Sequence, residues 1–396
     1  MKRVLVLGCG AMGRGIVDKL MKDPSVETIY LYDVESSQTA HLTSLISREQ
    51  GPMIVPLEFS WGDKKAALSA FNDVDMVLAS TPWNATREAI EFALISGKCF
   101  VSVTRPRYDE VEQIASRAEN SSATVVLGCG LEPGLTEIMA RYMGEQIDVL
   151  HELHLKCGGI PMKPLPPLGY RPLFGGSSLP IAMRGAFAVE NGQLRIHRRF
   201  SGVENAYIPD IGYVEAWHDG MLPWFLEIPG LSTLQHATQK TLRWPGFAAA
   251  ITLLWQLGFL NERSVKALNR GISPLEMTQV ILQSRFRNAE QPDDVTILQV
   301  EARGLCEKGV HPVVKTSQIM ARSRPTLSSM ALLTGHVCAI VGHVLAMSDG
   351  DGRPKGLVRP EQLIYGHKTE RLLHELRLEQ VEIAFLGRVE HDYSTC

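Results

Sequence analysis

Six residues near the start of the chain, Gly8-Cys9-Gly10-Ala11-Met12-Gly13, restrict what it can become more than any other stretch. The apolar run Val4-Leu5-Val6-Leu7 precedes them and reads as a strand buried on both faces. An amphipathic run follows, with Ile16, Val17, Leu20 and Met21 at helical spacing. A second apolar run, Ile29-Tyr30-Leu31-Tyr32, ends in Asp33, twenty positions after Gly13. That order is a βαβ unit whose turn suits a dinucleotide. Gly8 permits the tight bend, Gly10 leaves room for a pyrophosphate, and Gly13 lets the helix lie close to the strand. Ala11 and Met12 open the helix, whose free N–H groups point at the phosphates. Asp33 bears on which dinucleotide is expected. A carboxylate there accepts both ribose hydroxyls of NAD and repels the 2′-phosphate of NADP. Val34-Glu35-Ser36-Ser37 bring no arginine to receive that phosphate. The expected cofactor is NAD.

Strand and helix patterns continue to alternate beyond Asp33. Strands are expected at 53–57, 74–79, 99–103 and 124–127, and helices at 42–46, 64–71, 85–96 and 109–120. Repeated βα units predict a parallel, doubly wound sheet with ligands at the carboxyl ends of its strands. Thr81 and Arg105 would then stand on the rim where nicotinamide and substrate meet. The turn Gly128-Cys129-Gly130-Leu131-Glu132-Pro133-Gly134 leads into a helix through Met143 and presents Glu132.

From Val149 the texture changes to short alternating runs and Pro/Gly turns. Strands are expected at 150–156, 194–200, 295–300 and 312–319, with Cys157-Gly158-Gly159-Ile160-Pro161 breaking the first. Helices are expected at 247–257, 261–268 and 274–284. A tail follows, with a buried helix at 328–347, a turn at 350–354, a short helix or loop at 356–362 and a helix at 371–377. The fold class is thus α/β, in three parts. Residues 1–130 are expected to form a Rossmann NAD-binding domain. Residues 131–324 would make an α+β substrate and oligomerisation domain with a mixed sheet. Residues 325–396 would be a helical tail returning to the first domain.

Composition narrows the partners. The 396 residues carry a net charge of −3 without a basic block, which argues against nucleic acid and acidic membranes. The apolar stretch Met330–Met347 is interrupted by glycines and histidines, so it is expected to be buried rather than to span a membrane. The first strand begins at once, leaving no room for a leader, and the seven scattered cysteines form no CxxC pair. A cytoplasmic protein without a metal site is expected.

Several motifs in order carry a resemblance: the first glycine turn and Gly130-Leu131-Glu132-Pro133-Gly134, then Cys157-Gly158-Gly159-Ile160-Pro161 and Pro167-Leu168-Gly169-Tyr170. Gly202-Val203-Glu204, Glu215-Ala216-Trp217-His218, Lys240-Thr241-Leu242-Arg243-Trp244-Pro245-Gly246, Thr334-Gly335 and Pro360-Glu361 complete it. The chain resembles the saccharopine dehydrogenase-like family, and within it the lysine 6-dehydrogenases more than the saccharopine-forming reductases. The resemblance implies a Rossmann domain, a mixed substrate domain and a returning tail. It also implies oxidation or formation of amino-acid C–N bonds with a nicotinamide cofactor, in a homodimer or higher homo-oligomer. The chain departs from the saccharopine-forming members after the Pro-Gly turn, where Thr136-Glu137 follow Leu135.

If the substrate is lysine, its ε-amine arrives protonated, with a pKa near ~10.4, and a base or a desolvating pocket must take that proton. Arg243 is the first choice for the substrate carboxylate, since guanidinium binds carboxylate in a fork. Thr241 and Tyr170 are expected beside it, and Glu132 and Glu204 with the amino acid. Lys240, buried near Arg243, would serve as base. His218 would relay protons with Glu215, because a helical turn places residues three apart on one face. Glu204, Glu215 and Asp219 are candidates for an ammonium group. An opine-type reductase joining a keto acid to an amino acid is the second reading, and it would need another carboxylate site at Arg171, Arg184 or Arg199. A non-catalytic NAD-binding sensor is the third.

Overall fold

Strands β1 (Lys2–Leu7), β2 (Val26–Tyr32), β3 (Met53–Pro56), β4 (Met76–Ala79), β5 (Cys99–Ser102) and β6 (Thr124–Val126) alternate with helices. These helices are α1 (Ala11–Leu20), α2 (Ser36–Leu45), α3 (Lys64–Asn72), α4 (Trp83–Ser96), α5 (Val111–Glu119) and α6 (Leu135–Gly144). The computed structural model describes residues 2–46, 51–173, 179–263, 265–267, 270–286, 293–306, 310–348 and 352–389. Ser264, Leu268, Gly350 and Asp351, on which the expected 261–268 helix and 350–354 turn partly fall, lie outside the described residues. The chain divides into two units: 1–142 with 324–381, and 143–323 with 382–396.

In the first unit the sheet runs β17 (Gly356–Val358)-β6-β5-β4-β1-β2-β3, with every neighbour parallel. Strands β4, β5 and β6 are buried at every position, as a sheet covered on both faces demands. The strand order reverses between β1 and β4, which makes the crevice above their carboxyl ends the place for a ligand. Strand β17 (Gly356–Val358) was expected as short helix or loop; it instead extends the sheet by pairing with β6. Three residues without alternation gave no strand signal, and the open edge of β6 supplied the partner.

The tail holds α9 (Ser329–Ala346), α10 (Pro360–Leu363) and α11 (His367–Leu378). Helix α9 is long and apolar enough to cross a bilayer, but 78% of that window is buried inside the protein. Its Gly335 meets Gly15 of α1: a Cβ on Gly335 would lie 2.4 Å from the Gly15 carbonyl carbon. Only paired glycines let two helix backbones approach so closely. The first unit also extends past the expected boundary at 130, because α6 is tied to it. Leu135 N–H donates to Gly130 O (2.8 Å), and Arg141 donates to the Glu361 carbonyl (2.7 Å).

The second unit is built on a nine-stranded mixed sheet. Its spine is β10 (Glu204–Ile208), β11 (Gly212–His218), β12 (His236–Arg243), β7 (Val149–Pro161), β15 (Asp294–Cys306), β16 (His311–Arg322) and β18 (Glu382–Val389), in that order. β8 (Gly185–Glu190) pairs with both β12 and β9 (Gln193–Arg198). Helices α7 (Phe247–Gln256) and α8 (Pro274–Phe286) and the hairpin β13 (Val265–Ala267) with β14 (Arg270–Ile272) complete it.

Several expectations are corrected in this unit. Cys157–Pro161 does not break its strand, because β15 pairs with that stretch residue by residue and holds it extended. Residues 265–267 of the expected 261–268 helix instead form β13, the first strand of the hairpin with β14. Residues 382–389 do not stay with the tail's helices, since β18 covers the otherwise open edge of β16. Finally, Glu215–His218 is strand, not a helical turn, which changes which side chains can meet.

Candidate functional site

The first unit holds a candidate nucleotide cradle at the β1–α1 turn. Gly8 has φ +88°, and a Cβ there would lie 2.7 Å from the Ser80 carbonyl oxygen at the end of β4. A Cβ on Gly13 would stand 1.9 Å from Gly8 O. At Gly10 a Cβ would meet no protein atom within 4 Å, so the open side of the turn faces away from the fold. Gly10 caps α1 without any side-chain hydrogen bond. The first N–H groups of that helix, from Ala11, Met12 and Gly13, are therefore left for an anion. The residues fit a dinucleotide: among the described residues no side chain closes the cradle, and its donors are backbone N–H groups.

Asp33 ends β2, and one of its oxygens accepts from Cys9 N–H (2.7 Å), joining the carboxylate to the turn. Its other oxygen accepts from Glu35 N–H (3.0 Å). Burial pushes the neighbouring Cys9 thiol up to about 12, so it stays protonated. A cleft of about 550 Å³ opens beside Asp33, lined also by Tyr32, Thr39, Leu57, Glu58 and Phe59. None of its described lining residues is basic, and two are acidic. Thr81 and Arg105 follow β4 and β5 at the same edge of the sheet. The Thr81 hydroxyl shares a hydrogen bond with Thr86 (2.9 Å), and Arg105 donates to the Tyr108 hydroxyl (2.9 Å). Glu132 lies half-buried on the turn after β6.

In the second unit the β11–β12 pairing sorts the expected site residues onto two faces. Glu215 lies opposite Arg243, Trp217 opposite Thr241, and His218 opposite Lys240. Side chains alternate along a strand, so Glu215, Trp217, Thr241 and Arg243 share one face and His218 and Lys240 the other. Lys240 is thus not beside Arg243, and Glu215 is not beside His218.

Arg243 is only 6% exposed. Its guanidinium lies 4.2 Å over the ring of Tyr170, itself buried. One terminal nitrogen donates to the Leu242 carbonyl at 2.7 Å, while Nε is buried without a hydrogen-bond partner. Gly158 makes room for it, because a Cβ there would lie 2.9 Å from that guanidinium. The Cys-Gly-Gly stretch is therefore a passage for Arg243 inside a continuous strand. Trp217 stacks on Phe247 (5.4 Å) and Tyr170 meets Phe247 edge-on (5.6 Å), forming an aromatic wall.

The acids of this face are already engaged. Glu215 accepts from Gly246 N–H (2.8 Å) and Ala248 N–H (2.7 Å), and so caps the start of α7. Asp219 accepts from Arg184 (2.7 Å), from Arg199 through both Nε (2.9 Å) and a terminal nitrogen (2.7 Å), and from the Thr241 hydroxyl (3.2 Å). Burial lowers the Arg199 pKa, partly countered by Asp219. Arg184, Arg199 and Trp217 had no first-rank place in the sequence reading, because residues far apart in sequence converge only through strand pairing.

On the opposite face, Lys240 pairs with Glu204 (3.0 Å) and donates to Gly202 O (2.8 Å), while Lys156 holds the other Glu204 oxygen (3.0 Å). Against burial, which would raise it, those two lysines hold Glu204 below the usual carboxylate range. His218 stacks on His197 (4.6 Å). Burial, then Lys240 and His197, push its pKa down to about 4, so it is neutral at physiological pH.

Comparison with known proteins fits this architecture. The model of the saccharopine dehydrogenase C-terminal domain matches residues 130–381. The mouse mitochondrial alpha-aminoadipic semialdehyde synthase is 23% identical over 71% of this chain, which spans 31% of that protein's length. The saccharopine dehydrogenase [NADP(+), L-glutamate-forming] of Pyricularia oryzae is 23% identical over 75% of this chain and 66% of its own length. The apo saccharopine dehydrogenase (L-Glu forming) of Saccharomyces cerevisiae shares the fold at a TM-score of 0.78 and 16% identity, covering 98% of this chain and all of that one. With the family model matching well over half of its length, the chain belongs to the saccharopine dehydrogenase family.

Proposed function

We propose that this protein is an NAD-dependent oxidoreductase of an amino-acid C–N bond, with L-lysine oxidised at its ε-carbon to the semialdehyde or its cyclic imine. The observation that carries the reading is Arg243: a buried guanidinium with an unpartnered Nε, stacked on Tyr170, in a chain that also builds a nucleotide cradle. A buried donor without an acceptor is costly unless a ligand supplies one. An α-carboxylate is the acceptor whose geometry matches a guanidinium. Bound nicotinamide supplies the hydride acceptor. Arg243 orients the substrate, and the wall of Tyr170, Trp217 and Phe247 excludes water around it. Glu215 and Asp219 are committed to α7 and to the arginines, so neither is assigned as base.

NAD rather than NADP is supported by Asp33 and Glu58 in the cleft beside the cradle, since a 2′-phosphate there would face two carboxylates. Relatives named for NADP(+) make this the part to test first. A second reading, a saccharopine-type reaction on a substrate with more carboxylates, is favoured by Arg184 and Arg199 beside Arg243's face. NADH absorbance separates these. Reduction of NAD by lysine alone supports the first. NADH consumption only when lysine and a keto acid are both present, or NAD reduction by saccharopine, supports the second. Binding of NADH without turnover in any mixture would overturn both in favour of a sensor.

A further inference from the structure

Two glutamates of the first unit have no role in the reading above and violate the ordinary rules for buried charge. Glu137 begins α6, immediately after the turn that follows β6. Glu361 sits in α10, immediately after β17, the strand next to β6 in the sheet. Both therefore lie at the carboxyl edge of the parallel sheet, where a doubly wound fold binds its ligand. Each is only 1% exposed. One Glu137 oxygen accepts from Gly134 N–H (2.6 Å) and from the Thr136 hydroxyl (2.7 Å). Among the described residues, no other residue gives a hydrogen bond to its second oxygen or to either oxygen of Glu361.

The groups around the pair set its charge. Glu361 is faced by Glu137 and Arg141 of α6, by Arg359 just before α10, and by the Cys129 thiol in the turn. Glu137 is faced in addition by Arg105 from the loop after β5. Arg141 spends a hydrogen bond on the Glu361 main-chain carbonyl and lies 4.2 Å over the Tyr365 ring. Burial raises Glu137 while donors from Gly134 and Thr136 favour its ionised form; Glu361 has only its own backbone N–H. Burial first, and then Glu137, push the Glu361 carboxyl up to about 7.

Glu137 is also the brace of the turn. Gly130 N–H donates to Pro133 O (2.9 Å), and a Cβ on Gly134 would lie 2.4 Å from Gly130 O. The same Gly134 donates its N–H to Glu137. A change in the charge beside Glu137 acts directly on the residue that holds the turn closed.

We propose that Glu361 is a positioning residue that is held neutral beside the Glu137 carboxyl and, through it, holds the 128–134 turn in shape for the nicotinamide end of the cofactor. The turn is braced while Glu361 is neutral. When Glu361 ionises, two desolvated like charges stand behind the turn and drive it open. The inference about the cofactor rests on the nucleotide reading above; the inference about the pair does not.

The test uses the full chain, wild type against Glu361→Gln and Glu137→Gln, with two readouts between pH 5 and 9. The first is denaturant unfolding without nucleotide. A carboxyl raised in the fold contributes stability at pH below its unfolded value, and that contribution is lost as pH rises through about 7. Between pH 5 and 8 the wild-type unfolding constant should rise on the order of a hundredfold relative to that of Glu361→Gln. Glu137→Gln should move this loss to lower pH rather than remove it. Parallel profiles for wild type and Glu361→Gln would overturn the proton held on Glu361. The second readout is NADH binding by fluorescence, expected to weaken above pH 7 in wild type and to stay flat in Glu361→Gln. Identical binding profiles, with divergent unfolding profiles, would overturn the positioning role. If no nicotinamide nucleotide binds at any pH, the nucleotide reading and with it the positioning role fail, while the unfolding profiles still decide the pair.

Discussion

The nucleotide cradle and the arginine face are built on opposite plans. The cradle is local: Gly8, Gly10, Gly13 and Asp33 come from one βαβ unit, and the donors are backbone N–H groups. The arginine face is assembled from Gly158, Tyr170, Arg184, Arg199, Asp219 and Arg243, brought together by strand pairing and loops. A local site recognises what every dinucleotide has in common. An assembled site of side chains can distinguish one substrate from another, and each member depends on the others for position.

If that contrast is right, substitutions in the cradle should separate cleanly into fold and binding effects. Gly13→Ala should have the largest effect, since its Cβ would need to occupy space 1.9 Å from Gly8 O. Overpacking against backbone costs about 3 kcal/mol, so both melting temperature and NADH affinity should drop. Gly10→Ala is the control: its Cβ meets nothing in the protein, so the melting temperature should stay and only nucleotide affinity should fall. Equal losses of stability in both variants would show that the turn is not divided in this way.

In the arginine face the largest effect belongs to Arg243. Removal of a buried, charge-assisted contact is worth about 2–3 kcal/mol, or roughly a hundredfold in kcat/KM. Arg243→Lys should show most of that as KM, because lysine keeps the charge and loses the fork. A wild-type KM in Arg243→Lys would take the carboxylate away from this residue. Arg199→Lys then distinguishes the two substrates: saccharopine turnover should suffer and lysine turnover should not.

The difference between the regions also explains what could be read in the sequence. The βαβ unit was legible because its glycines, its strand and its acid are close in sequence and each has one physical job. Arg243 could be singled out from the sequence, but its company could not. Glu215 was placed with His218 on the assumption of a helical turn, and Lys240 with Arg243 from nearness in sequence, whereas a strand sends alternate residues to opposite faces. Gly158 reads as a strand breaker until Arg243 is seen lying over it. Glu361 lay in a motif that carried the family resemblance, and nothing in Pro360-Glu361 announces that its carboxylate is buried. Composition shows how many acids there are; only packing shows which ones are deprived of water.

A smaller effect tests Glu215. With both oxygens accepting from the first N–H groups of α7, it is a helix cap supplied by a neighbouring strand. Glu215→Ala should cost about 1–2 kcal/mol of stability, read from chemical denaturation of the folded protein. The pH profile of kcat should keep its shape. A loss of kcat without a loss of stability would return Glu215 to the chemistry and remove the distinction between cap and site on this face.

The smallest effect concerns the face opposite Arg243. His218 has its pKa pushed down to about 4 by burial and by Lys240 and His197, against a value near ~6.5 when unfolded. Its neutral form is therefore the one the fold prefers. The sign follows from proton counting: between these values the unfolded chain binds the proton and the folded chain does not. The stability involved is present above about pH 6.5 and is lost as pH falls toward 4. His218→Gln carries no such proton, so wild type should lose stability faster than the variant over that range, and the two should run parallel above it. Activity between pH 6 and 8 should show no limb that the substitution removes. If a limb near neutrality does vanish in His218→Gln, the histidine titrates where a proton relay would, and the strand's far face rejoins the reaction.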